Sequence, residues 1–191
     1  MGISAELATF CQNWHTKAEG YSQDDVAGAF DRFFTLYVVF NRLYAEATFR
    51  FARSHNINLG NRFPDARAAT DYVIQFCGAD VLTAGWEGEP NTVAAYRLIA
   101  QHIRDRNFAL KLDLVTGERR RQADDELLAA LESQSRNERA KAGLEVLYAI
   151  RCNMFHGHKG FEPIQLQLLQ PALTLLESTI CLVRRALENQ D

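Results

Sequence analysis

Hydrophobic residues recur along most of this chain at intervals of three and four, the period of an amphipathic helix. Ser4 to Lys17 sets Leu7, Phe10, Cys11 and Trp14 on one face, and Gly20 stops it. Ser22 is a suitable N-cap for a second helix, with Asp24 and Asp25 near the positive end of its dipole. That helix is predicted to run to about Ser54. Its stripe of Phe30, Phe34, Tyr37, Asn41, Tyr44, Thr48 and Phe51 is spaced four, three, four, three, four, three. This is a heptad-like seam, suited to a core or to a dimer face. Phe33, Val38 and Phe40 widen it, whereas Arg42 and Glu46 lie off it and are expected in solvent.

Residues 56–64 form a polar loop with Gly60 and Pro64. A shorter helix is expected from Asp65 to Phe76, ending near Gly78. Gly85 to Pro90 has loop composition, and Asn91 is placed to cap a helix through about Asp105. Residues 108–115 alternate between apolar and small or charged residues, as a short strand or an irregular edge would. Arg119, Arg120 and Arg121 follow in a turn that should be solvated and could touch phosphate. Asp124 to Leu131 and Arg136 to Asn153 give two more helices. Ile164 to Glu188 gives a long last one, kinked at Pro171 unless it begins there. Six or seven helices and one doubtful strand make an all-α bundle. A single domain over 1–191 is expected, with its core in 22–54 and 136–189 and an elaboration in 56–135.

Composition adds bounds. Hydrophobic residues make up 47% and charged residues 24%, enough for a real core in an ordinary globular protein. The formal net charge of -3 argues against a protein that coats polyanions, so any nucleic-acid site must be local. No run reaches the roughly 20 apolar residues of a membrane span. The N-terminus lacks the pattern of a signal peptide, and Glu6 stands where myristoylation wants Ser or Thr. Cys11, Cys77, Cys152 and Cys181 are far apart with no C-x-x-C pair, which reads as reduced thiols in a cytoplasmic protein.

The candidate chemistry lies in 144–160. The apolar face of Leu144, Leu147 and Tyr148 extends by the same spacing onto Arg151, and Gly157 and Gly160 then stop the helix. Burying an unpaired charge costs several kcal/mol, so a cation on this stripe needs a partner or a task. Asn41 is likewise a polar member of an apolar seam. If the two helices pack along their stripes, Asn41 and Arg151 face each other, with Asn153 and His156 at the rim. A cation, an amide and an imidazole can bind an oxyanion and move a proton. Cleavage of RNA by its own 2′-hydroxyl needs both functions and no metal. The same residues have a structural explanation too: Arg151, Asn153 and His156 can cap the helix C-terminus and meet its dipole. His156 and His158 are two apart with no clear third ligand, so neither a metal nor another cofactor is expected. His15, His55 and His102 are expected at the surface or at caps.

Arg151-Cys-Asn-Met-Phe-His156-Gly resembles the signature of the HEPN (higher eukaryotes and prokaryotes nucleotide-binding) superfamily, an Arg followed after four to six residues by His. The family often has Asn directly after the Arg; here Cys152 holds that place and Asn153 follows. Leu-Tyr-Ala-Ile before the motif, Phe-His-Gly-His-Lys-Gly after it, and Phe40-Asn41-Arg-Leu-Tyr44 upstream are similar to the branch whose motif reads Arg-Asn-x-x-Phe-His-Gly-x-Lys. The resemblance covers 30–54 and 138–188. It implies a HEPN-like helical bundle and a metal-independent endoribonuclease of toxin–antitoxin or antiviral defence systems. It further implies a homodimer whose paired motifs form one RNA cleft. Arg151 would contact the scissile phosphate and His156 would transfer protons. Asn153 and Asn41 would be auxiliary, and His158, Lys159 and Tyr44 would bind substrate. A nucleotidyltransferase-type antitoxin is the kind of partner implied. Members without catalysis, which bind RNA, a nucleotide or a protein, form the alternative.

Overall fold

The computed structural model describes residues 2–113, 115–155 and 162–189, with the side chain of Phe155 left aside. Among these residues the protein is an all-α bundle of eight helices without a strand. In chain order they are α1 (Ala5–Glu19), α2 (Val26–Ser54), α3 (65–77), α4 (Ala79–Glu87), α5 (Pro90–Arg104), α6 (Arg121–Leu131), α7 (Arg136–Phe155) and α8 (Leu166–Asn189).

Local chemistry sets the helix limits. The Ser4 hydroxyl accepts from the Leu7 N–H and caps α1. Asp25, not Ser22, caps α2: its Oδ1 accepts from the Gly28 N–H at 2.8 Å. Ser22 sits too far upstream and instead accepts from the Asp24 N–H. Helix α3 is composite, with α-helical Asp65–Arg67, a π turn at Ala68–Tyr72 and α-helical Val73–Cys77. Gly78, at φ 88°, then turns the chain directly into α4. Pro90 opens α5 at its first position, where its missing N–H costs nothing. A short 3₁₀ turn, Pro163–Gln165, leads into α8. Pro171 lies in the second turn of α8, so the Gln167 carbonyl alone loses its intrahelical donor.

Helix α2 and helix α8 pack along each other, with α1 against α2 and α5 against α8. On the other side α7 packs against α6, α4 and α3, and α3 also packs against α2. The buried face of α2 is Phe33, Leu36, Tyr37, Phe40, Leu43, Tyr44 and Ala47. It is thus rotated from the expected seam: Tyr37, Tyr44 and Thr48 are buried, while Phe34 is 39% exposed. The α1 and α8 partners select this face; spacing alone allowed either, because aromatic residues occupy both. Segment 56–135 feeds the same core through Ala68, Val73, Leu82, Ile99 and Leu110.

Two further expectations change. Ala79–Glu87 is a helix, so Gly85 is not in a loop. A Cβ on Gly85 would come within 2.4 Å of the Leu182 side chain, which explains the glycine as a close approach of α4 to α8. Among the described residues of 108–115 there is no strand. A hairpin-like turn links Lys111 to Arg120 through the Arg120 N–H to the Lys111 carbonyl, with one isolated bridge, Leu112 to Arg119. Pro163–Asn189 has the length and apolarity of a membrane-crossing helix, against the sequence expectation. It is mostly buried inside the bundle, as a core helix would be.

Candidate functional site

The two polar positions picked out on α2 and α7 belong to one hydrogen-bonded group, and Asp65 is its centre. Asp65 is the first residue of α3, the helix that packs against both α2 and α7. The Tyr44 hydroxyl donates to Asp65 Oδ1 at 2.6 Å, and Asn41 Nδ2 donates to the Tyr44 oxygen at 2.7 Å. From α7, the Tyr148 hydroxyl donates to Asp65 Oδ2 at 3.3 Å. Arg151 Nη1 lies 3.9 Å from the same oxygen. Asn41 and Arg151 therefore connect through Tyr44 and Asp65 and do not meet directly. A π turn begins three residues after Asp65 in α3, a local geometry common at functional sites.

Arg151 rests on an aromatic shelf. Its guanidinium carbon is 5.9 Å from the Tyr37 ring and 6.0 Å from the Tyr148 ring, within cation–π range. The side chain of Arg151 is 23% exposed and that of Asp65 36% exposed, so both reach solvent at the mouth of the group. Burial opposes the charge on Arg151, but Cys152, Asp65 and Tyr37 more than offset it and hold its pKa above the ordinary value. The guanidinium stays charged. Burial, with Asp65 as acceptor and charge, pushes the Tyr44 phenol far above its usual range. Burial does the same to Tyr37 and Tyr148. All three stay protonated near neutral pH. Tyr44 is therefore a donor to Asp65, and the Tyr37 hydroxyl is a buried donor without a partner among the described residues.

Of the sequence-predicted site residues, this group gathers Asn41, Tyr44 and Arg151. Asn153 lies elsewhere. Two residues past Arg151 on a helix is about 200° around the axis, and Asn153 Nδ2 donates to the Leu110 carbonyl at 2.9 Å, buried. From the opposite side, the buried Asp124 accepts from the Leu110 and Lys111 N–H groups. Asn153 thus fixes the 108–111 segment to α7. His156, His158 and Lys159 lie outside the described residues. Sequence reasoning missed Asp65 as a partner. An Asp after Pro64 reads as an ordinary first-turn acid, and it is one of 24 acidic residues. The buried cation signalled that a carboxylate was needed, without saying which.

His102 is buried, not superficial, with its ring edge-on to Phe108 at 5.3 Å and its Nδ1 3.2 Å from Asn107 Nδ2. His55 does end α2, as the residue following Ser54. The four thiols are free; three are buried and Cys181 is half-buried. Among the described residues, no group of three His, Cys, Asp or Glu side chains is placed to hold a metal ion. No family model matches the chain, and neither the curated proteins nor the solved structures hold a significant match.

Proposed function

We propose that this chain is a HEPN-type, metal-independent endoribonuclease that cleaves RNA by attack of the 2′-hydroxyl on the adjacent phosphorus. One observation carries the proposal: a charged guanidinium stands near the end of a core helix, on an aromatic shelf, and its ion pair with Asp65 is long and partly exposed. At 3.9 Å, and with Asp65 36% exposed, that pair contributes less than about 1 kcal/mol after solvent screening. Arg151 can turn from Asp65 to a phosphate, while Tyr44 and Tyr148 keep Asp65 satisfied.

In this mechanism Arg151 offers two parallel N–H donors to the non-bridging oxygens, where negative charge grows as phosphorus becomes five-coordinate. His156 takes the 2′-proton, the general-base role that an imidazole can fill. The new bond joins O2′ to phosphorus and the bond to O5′ breaks. The products are a 2′,3′-cyclic phosphate and a 5′-hydroxyl, the latter receiving its proton from a second acid. A homodimer would supply that acid as the imidazole of the second motif. His158 and Lys159 would meet flanking phosphates.

Arg151→Lys and Arg151→Ala test the role of the fork. Each is expected to lower RNA cleavage in EDTA by about 100-fold or more while helicity is retained. A wild-type rate in Arg151→Ala contradicts the proposal. A second reading, a non-catalytic module that binds RNA, a nucleotide or a protein, is favoured by Asp65, which already faces the guanidinium. It requires no turnover by the wild type and weaker RNA binding by Arg151→Ala.

A further inference from the structure

At the opposite end of α7 from Arg151, a cavity of about 170 Å³ opens between α4, α5 and the first turns of α7. Its lining includes Thr83, Trp86, Glu87, Tyr96, Arg97 and Arg139. Trp86 and Tyr96 form an apolar wall, with ring centroids 6.0 Å apart and planes inclined by 34°. Trp86 is held tightly: it is 3% exposed, and its six-membered ring lies on Gly143 so closely that a Cβ there would come within 2.9 Å. The Tyr96 hydroxyl turns away to the Arg139 and Leu131 carbonyls.

Two residues of this lining each carry a donor that has no acceptor. The Trp86 indole N–H and the Arg139 Nε–H are both buried without a hydrogen-bond partner. A buried donor left unpaired costs about 1–3 kcal/mol, so two on one cavity call for an explanation. Arg139 is only partly engaged, because its Nη2 meets Glu87 Oε1 at 2.9 Å. Among the lining charges, Arg97 and Arg139 against Glu87 leave one positive charge in excess. Unused N–H donors, a surplus charge of one and an aromatic wall describe a complementary ligand: a flat apolar body carrying a single carboxylate. The volume agrees, since a cavity of roughly 150 Å³ accommodates a benzene ring.

We infer that this cavity is a binding site for a small aromatic carboxylate, distinct from the Arg151 group. A small side-chain shift on binding turns the Arg139 Nε–H and the Trp86 indole N–H, both closed to water here, onto the carboxylate; Arg97 balances its charge at the mouth, and the ring lies along Trp86 and Tyr96. Nothing in this site depends on RNA cleavage.

The test uses the full chain with benzoate as the probe. Trp14 and Trp86 are the two tryptophans, so Trp14→Phe leaves one indole N–H resonance in the nitrogen–proton NMR spectrum. Benzoate is expected to shift that resonance saturably, with benzamide at least about tenfold weaker, because a neutral amide lacks the charge. Arg139→Gln is expected to weaken benzoate by a similar factor. Should that variant lose its fold with the Glu87 pair, Arg97→Gln serves, with an expected weakening of about three- to fivefold. No saturable shift by about 10 mM benzoate, a dissociation constant that corresponds to under 3 kcal/mol, overturns the inference. So does equal binding of benzoate and benzamide.

Discussion

Tyr44→Phe removes one oxygen from the centre of the group that links α2, α3 and α7. The ring should stay in place, since Phe40 packs edge-on to it at 5.2 Å and Phe63 stacks on it at 6.5 Å. What is lost is the 2.6 Å bond to the Asp65 carboxylate and the acceptor for Asn41 at 2.7 Å. A hydrogen bond to a charged group contributes about 1.5–3 kcal/mol. Asn41 is only half-buried and can turn to water, so its loss adds little. Asp65 keeps Tyr148 and its solvent-facing edge. The net destabilisation is then about 2 kcal/mol. With a urea slope of about 2 kcal/mol per molar, the unfolding midpoint should fall by roughly 1 M at unchanged slope. Combined with Asp65→Asn, the two effects should fall short of additivity by about 1–2 kcal/mol, because they break the same bond. A midpoint shift under about 0.2 M, or full additivity, would show that Tyr44 and Asp65 are not coupled and that Asp65 is not the hub of this group.

Other outcomes follow from the same structure. Asn153→Ala should cost about 1–3 kcal/mol in urea unfolding, since it strands the buried Leu110 carbonyl. Cys77 is raised from 9.0 to about 12 by burial, so the native state keeps a proton that the unfolded chain releases. Stability from this group is complete below pH 9.0 and is lost as pH rises towards about 12, by about 2 kcal/mol near pH 10.5. Urea midpoints from pH 8 to 10.5 in wild type and Cys77→Ala check this, and the variant should lose the part of the slope below the tyrosine range. Gly143→Ala places a Cβ 2.9 Å from the rigid, buried Trp86 ring. It should lower stability by about 1–2 kcal/mol even after its gain in helix propensity, and shift the Trp86 near-ultraviolet signal.

The chain discloses its helices because the 3.6-residue period is local information. It discloses Asn41 and Arg151 because a polar group on an apolar stripe stands out wherever it occurs. What it hides is tertiary. Asp65 acquires its role from the packing of α3 on both α2 and α7. Gly85 reads as a loop residue until Leu182 is found against it. Phe34 and Phe33 are equivalent in the sequence, and only the arrival of α1 and α8 decides which faces solvent. Asn153 stands two residues from Arg151 in the chain yet points around the helix towards Leu110. The unpaired donors of Trp86 and Arg139 have no sequence signature at all, since orphanhood depends on every neighbour.

The most direct test of the proposed activity reads the ends of RNA fragments. Purified wild type and His156→Ala are incubated with mixed cellular RNA in excess EDTA. Fragments with 2′,3′-cyclic phosphate and 5′-hydroxyl ends from wild type, and none from His156→Ala, are the expected result. Cleavage that depends on a divalent metal or leaves 5′-phosphate ends, or equal cleavage by His156→Ala, would contradict an Arg151–His156 ribonuclease.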